Sequence, residues 1–205
     1  MHKCREAQGC ARAAAPNNYG AWNAPYEEML MAIRPYKGIL PKLGARVYVD
    51  ESAAVIGDVQ LGEDASVWPM CSVRGDVNLI RIGARTNIQD NSVIHVTHKY
   101  SDLPDGRACL VGDDVTVGHQ CVLHACTIGN SCLIGMGSIV LDGAILHDGV
   151  LLGAGSLVTE GKELEGGNLW LGRPAKKARA LTKQEMDWFV YSAKHYVKLK
   201  DDYLK

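Results

Sequence analysis

The chain has 205 residues and a formal net charge of −1: enough for one domain with a real core, without the basic excess of a nucleic-acid binder or the acidic run of a charged arm. One Phe, four Trp and eight Tyr against 22 Gly leave Val, Ile, Leu and Ala to fill that core, which favours thin repeated layers over one bulky centre. The seven cysteines are odd in number and form no C-x-x-C pair, which argues against a disulfide framework or a thiolate zinc site and for reduced thiols in a cytoplasmic protein.

Residues 1–30 mix Ala, Asn, Pro and charge without a period and hold no apolar stretch of the kind a secretory signal needs. They read as a poorly ordered extension, with the folded part beginning near Met31. No run of about 18 apolar residues predicts a membrane span.

From Val49 every sixth residue is aliphatic: Val49, Val55, Leu61, Val67, Val73 and Leu79. The phase then slips and resumes at Ile82, Ile88 and Ile94, and again at Val111, Val117 and Leu123. One five-residue step leads to Ile128, Ile134, Val140, Leu146, Leu152 and Val158. A step of six keeps the parity of a strand, so all these side chains can face one interior. Flanking Gly, Asp and Asn can take the corners between short straight pieces. Three pieces make a coil of about 18 residues, and such coils stack about 4.8 Å apart. The prediction is a mainly β fold, the left-handed parallel β-helix of hexapeptide repeats, over residues 31–180. Cys71, Cys121, Cys126 and Cys132 belong to its interior or corners.

The segment "HVTHKYSDLPDGRACL" interrupts the repeat with Pro, Gly and charge and predicts an outward loop near residues 99–109. Gly172 and Pro174 turn the chain after the last coil. Residues 181–205 then read as one helix, with Thr182 and Glu185 spaced for a capping box. Met186, Val190, Ala193, Val197 and Leu204 are its expected apolar stripe, packed along the β-helix of the same or a neighbouring subunit. Exposed solenoid faces favour association, and a cyclic homotrimer is expected.

Two histidines, His119 and His124, break the apolar rhythm of "VTVGHQCVLHACTIG". His95 and His124 each follow a repeat aliphatic and lie 29 residues apart. Without an eleven-residue loop that distance is one coil, which places both at the same corner of adjacent coils. His119 lies nearly a whole face away from His124, too far to share a metal ion within one chain at the 2.0–2.1 Å of a Zn–N bond. It would reach the ion from an adjacent subunit. Three neutral imidazoles leave one zinc position open, as catalytic sites do. Spacing alone leaves two readings open, a three-histidine metal site and three unrelated surface histidines.

The ordered motifs "VWP" (67–69), "RGD" (74–76), "NIQD" (87–90), "IHVTH" (94–98), "GHQCVLH" (118–124) and "LGRPAK" (171–176) resemble those of γ-class carbonic anhydrases, in particular the short bacterial γ-carbonic-anhydrase-like proteins of the hexapeptide-repeat superfamily. The match runs from about residue 33 to 204. The resemblance implies a trimer with Zn²⁺, or Fe²⁺ or Co²⁺, held between subunits by His95, His119 and His124. It implies reversible hydration of carbon dioxide to bicarbonate by a metal-bound hydroxide. Arg74, Asp76 and Asp90 match an interfacial ion-pair network. Gln89 matches the side chain that orients the attacking water, Asn87 a residue behind it, and Tyr196 an active-site tyrosine. The chain departs from the family's archaeal archetype at the two proton-transfer glutamates: Val77 follows RGD, and His98 stands three residues after His95. A histidine titrates near neutral pH, so His98 is the candidate shuttle. A hexapeptide acyltransferase with His124 as a metal-free base, and a non-catalytic metal-binding trimeric scaffold, are the alternatives.

Overall fold

The structure, a computed structural model of one chain, describes residues 32–205. The expected extension over residues 1–30, with Cys4, Cys10 and His2, lies outside them. The six-residue rhythm becomes a parallel β-helix with three interior rows. One row runs Val55, Val73, Ile94, Leu123, Val140, Val158, each in register with the next. A second runs Val67, Ile88, Val117, Ile134, Leu152, Trp170. The third runs Leu61, Ile82, Val111, Ile128, Leu146, Leu164. Nearly all are fully buried, and each such side chain contributes about 1.5–3 kcal/mol of transfer free energy. The strands Ala54–Leu61 and Ser72–Ile82 run through one corner. They join two faces into a 12-stranded sheet, while the third face is an 8-stranded sheet.

The repeat departs from prediction at one place. Leu79 is only half-buried, and Ile80 takes the interior position opposite Val59. The register goes from Gly57 opposite Gly75 to Val59 opposite Ile80, so three extra residues sit in the strand carrying RGD, and the phase slips before position 79 and not after it. The outward loop stands where the interruption predicts it. Its base is a Thr97–Arg107 backbone pair, and Cys109 already stands in the strand Cys109–Val111.

At the C-terminal end the chain turns at Gly172–Pro174 into the strand Lys176–Ala180, antiparallel to Asn168–Leu171. The helix Lys183–Tyr203 follows. Thr182 caps it, and the capping box with Glu185 forms as predicted. The predicted stripe is corrected. Met186, Val190 and Leu204 are exposed, while Phe189, Ser192, Ala193 and Lys200 are buried. Two of these four are polar, so apolar periodicity alone could not find the buried face. Ser192 Oγ lies 2.8 Å from Thr116 Oγ1, and Lys200 Nζ lies 2.9 Å from Asp64. Both contacts lay the helix across the 8-stranded sheet of its own chain. Among the described residues no helix is long and apolar enough to cross a membrane. The five described cysteines, Cys71, Cys109, Cys121, Cys126 and Cys132, are buried free thiols. Burial raises the pKa of Cys71, Cys121 and Cys132 to about 11, so they pack as neutral side chains.

Candidate metal centre

His95 ends the strand Val93–His95 and His124 ends Val122–His124, and the two residues are direct register partners. The 29-residue spacing is therefore one coil plus the outward loop. His95 Nδ1 and His124 Nε2 face each other at 3.2 Å. The other ring nitrogen of each meets a carboxylate. His95 Nε2 is 3.0 Å from Asp76 Oδ1, and His124 Nδ1 is 2.5 Å from Asp142 Oδ1.

These partners fix the tautomers. A neutral imidazole carries one N–H, and the carboxylates, as acceptors, assign it to His95 Nε2 and His124 Nδ1. Burial lowers the His95 pKa below its ordinary value despite the bond to Asp76, and the Arg74 charge adds to the lowering. His95 is thus held neutral. Two nitrogen lone pairs then point at one another, an arrangement that a cation relieves. Two nitrogens about 2.0–2.1 Å from one tetrahedral zinc ion lie about 3.3 Å apart, close to the spacing observed. The donor set fits a divalent metal.

Asp76 is held by its backbone. Gly75 of RGD passes so close to the neighbouring strand that a Cβ there would lie 2.6 Å from the Asp58 carbonyl oxygen. Only glycine allows that approach, and it sets Arg74 and Asp76 on either side. Arg74 pairs with Asp76. Burial pushes the Asp76 pKa up, but the bonds from His95 and Arg74 outweigh it, and the net value falls below the usual carboxylate range. Asp76 is ionised and accepts from both.

His119 stands on another edge of the prism. It precedes Gln120, one of a column of left-handed corner residues with Asn91 below and Gly137 above. Asp90 precedes Asn91 in the same column, and His119 Nδ1 lies 2.9 Å from Asp90 Oδ2. Asp90 is thus the carboxylate partner of His119, 29 residues away for the same reason that His95 and His124 are. Within one chain it does not meet the Arg74–Asp76 pair; the network expected of these three residues lies between subunits. No third His, Cys, Asp or Glu completes a metal cluster within the chain among the described residues, and His119 does not meet the His95–His124 pair.

Around His119 gather the remaining predicted residues. A cleft of ≈ 480 Å³ lies between the helix and the 8-stranded sheet, lined by Gln89, His119, Met136, Trp188 and Tyr196 among others. Gln89 is buried, and its Nε2 donates to Asn87 Oδ1 at 3.1 Å. Asn87, wholly buried, donates to Thr116 Oγ1 at 3.1 Å. Tyr196 stands edge-on to Trp68 at 5.6 Å between ring centres. Burial raises its pKa, with Asp90 adding to the effect. His98 lies apart, exposed on the outward loop with its ring 5.6 Å from that of Tyr100.

Apart from His98, the predicted residues therefore fall into two clusters. One holds His95, His124, Arg74 and Asp76; the other holds His119, Asp90, Asn87, Gln89 and Tyr196. Sequence reasoning missed Asp142 and Thr97, whose hydroxyl donates to the second Asp142 oxygen. The available signal was position: Asp142 follows His124 by 18 residues, and each immediately precedes the left-handed corner residue of its coil, Ala125 or Gly143.

A prism of hexapeptide coils that presents carboxylate-backed histidines at its edges defines the class of protein, and comparison with known proteins agrees. The bacterial transferase hexapeptide (six repeats) family matches residues 125–160. The chain is 56% identical over 172 residues to protein YrdA of Escherichia coli, covering 84% of this chain and 94% of that one. It is 41% identical over 173 residues to a carbonic anhydrase of Geobacillus kaustophilus, covering 84% and 91%. Its identity to the mitochondrial gamma carbonic anhydrase 2 of Arabidopsis thaliana is 43% over 159 residues, 78% of this chain and 57% of that one. Among solved structures, a hexapeptide transferase family protein of Anaplasma phagocytophilum superposes with a TM-score of 0.78 at 43% identity, covering 84% and 98%. The chain belongs to the γ-carbonic-anhydrase-like family of hexapeptide-repeat proteins.

Proposed function

We propose that the protein is a divalent-metal-dependent carbonic anhydrase of the γ class, hydrating carbon dioxide reversibly at sites shared between subunits of a cytoplasmic homotrimer. The opposed nitrogens of His95 and His124, each imidazole backed by a carboxylate, carry this reading. A cyclic trimer supplies the rest: it sets the His95–His124 edge of one subunit against the His119 edge of the next, so three sites form from six half-sites. His95, His124 and a neighbouring subunit's His119 would hold the ion. Zn²⁺ suits three imidazoles, and Fe²⁺ or Co²⁺ suits them as well.

An ion held by these three imidazoles would supply Lewis acidity of the kind that lowers the pKa of water towards neutrality. The chain's own residues do the remainder. Asp76 and Asp90 accept the distal N–H groups of His95 and His119 and fix which nitrogen each presents. Arg74 holds Asp76 ionised and in place. Asn87 fixes the Gln89 amide, which lines the cleft where it can orient a substrate oxygen by hydrogen bonding. Tyr196 and the apolar cleft wall exclude bulk water from a small nonpolar substrate. The proton released leaves through solvent or through His98, which this chain carries where the family's archaeal archetype places a glutamate.

The test is stopped-flow carbon dioxide hydration on protein assayed for metal, as purified and after anaerobic loading with Zn²⁺ or Fe²⁺. Metal-dependent hydration lost in His124→Ala supports the reading. Full metal occupancy without hydration leaves the non-catalytic scaffold. A specific observation favours one other reading: the His124–Asp142 pair has the form of a general base with its orienting carboxylate, as a metal-free acyltransferase would need. Protein that binds no divalent metal at all would bring that reading forward.

A further inference from the structure

We propose that Asp142, held in turn by Thr97, is the positioning residue of His124. It fixes the imidazole so that Nε2 faces His95 and the metal. This rests on His124 being a metal ligand, as proposed above. Three observations carry it. The Asp142 carboxylate is fully engaged: Oδ1 lies 2.5 Å from His124 Nδ1, and Oδ2 accepts the Thr97 hydroxyl. The corner that carries it is clamped from both sides of the outward loop. Thr97 on one side bonds Asp142. Arg107 on the other lies against Gly143, where a Cβ would come within 2.9 Å of its guanidinium nitrogen. Finally, the loop base is itself tied down, by the Thr97–Arg107 backbone pair and by Asn78 Nδ2, which donates to Thr97 O at 3.2 Å and Asp105 O at 3.0 Å.

The chemistry follows from these contacts. An acceptor on Nδ1 makes the Nδ1–H tautomer the stable one, raises the basicity of Nε2 and stops the ring from flipping. Without it, His124 presents Nε2 in only part of the population, and metal affinity falls by that fraction and by the lost basicity. The outward loop thereby acquires a role at the centre it borders: it supplies the hydroxyl that aims the carboxylate.

The experiment measures Zn²⁺ affinity by chelator competition, and the visible spectrum of the Co²⁺ form, on the assembled protein. The wild type is compared with Asp142→Leu, Asp142→Asn, Thr97→Val and His124→Ala. The expected result is about 10- to 100-fold weaker binding for Asp142→Leu, the usual scale for losing a partner of a metal-bound histidine. Asp142→Asn, which keeps an acceptor without the charge, falls between it and the wild type. Thr97→Val loses several-fold, and the Co²⁺ spectrum shifts in each. If Asp142→Leu fails to assemble, Thr97→Val and Asp142→Asn carry the test. Wild-type affinity and an unchanged spectrum in the folded variants would overturn the proposal, even if metal-free thermal stability fell. Wild-type binding no tighter than His124→Ala would instead overturn the ligand assignment on which it rests.

Discussion

Replacing Asp64 should cost far more stability than replacing its partner Lys200. Lys200 is wholly buried, and its ammonium lies 2.9 Å from Asp64 Oδ1 and 2.5 Å from Asp201 Oδ1. Asp64 has a second cation: Arg46 reaches it at 3.0 and 2.5 Å. In Lys200→Met the carboxylate keeps Arg46 and the new side chain fills the old volume. Exchange of a buried ion for an apolar group of similar size is then nearly neutral, at about 0–1 kcal/mol. In Asp64→Ala the buried ammonium keeps only Asp201, whose side chain is half exposed, and breaking a buried pair in this way costs about 3–5 kcal/mol. At about 2–4 °C per kcal/mol, Asp64→Ala should lower Tm by roughly 6 °C or more and Lys200→Met by no more than about 4 °C. Thermal unfolding at fixed protein concentration reads both.

The pH dependence supplies an independent check. Burial pulls the Lys200 pKa down, but the bonds from Asp201 and Asp64 outweigh it, and the net value lies above the ordinary 10.5. A raised folded pKa means that the contribution is complete below pH 10.5 and is lost as the pH rises through the folded value. Wild-type Tm should therefore fall on the alkaline side, and Lys200→Met should lack that part of the slope. Equal losses in the two variants, or identical alkaline slopes, would refute the reasoning and with it the view that this pair docks the helix that carries Tyr196.

Leu123 is fully buried directly before His124, so Leu123→Ala should destabilise by about 2–5 kcal/mol, read as a lower denaturant midpoint at unchanged slope. Glu185, hydrogen-bonded by Arg179 and by the Thr182 cap, titrates at about 2 instead of the ordinary 4.5. A depressed folded pKa gives stability that is present above 4.5 and lost as the pH falls towards 2, so Glu185→Gln should flatten the acid side of the Tm profile between those values.

The interior of this fold was legible because a hexapeptide step preserves strand parity: Val67, Ile88, Val117 and Ile134 need only be counted to be stacked. It failed at Leu79 because the RGD strand inserts three residues between Gly75 and Ile80, and an insertion inside a strand leaves no break in hydrophobicity. It failed on the helix because that face is buried through Ser192 and Lys200, each satisfied by a specific partner that sequence does not reveal. At the candidate metal centre the pairing of His95 with His124 followed from coil arithmetic. Asp90 was found, but its contact with His119 inside the chain was not. The same arithmetic that stacked the histidines stacks it under His119, a consequence available before any coordinates. Asp142 was missed because an aspartate before a glycine at a corner reads as turn chemistry. Nothing local distinguishes it from Asp148, which instead accepts from the backbone and side chain of Asn130.

The proposed division of the site between two edges of the prism has a consequence that no single-chain site shares. If each ion is held by His95 and His124 of one subunit and His119 of the next, His119→Ala and His124→Ala damage opposite half-sites. Each variant alone should bind no metal at the centre. Co-expressed and assembled at random in equal amounts, they should regain it. A site is intact whenever the subunit supplying His95 and His124 is the His119→Ala chain and its neighbour supplying His119 is the His124→Ala chain. In a cyclic trimer each ordered neighbouring pair meets that condition with a probability of about one quarter. The mixture should recover about a quarter of wild-type metal content, and of hydration if the proposed activity is correct. Metal content is the decisive readout, because it tests the geometry without assuming the reaction. No recovery in mixed trimers that have formed would mean that His119 does not complete the site of a neighbour, and the two half-sites would have to be explained separately.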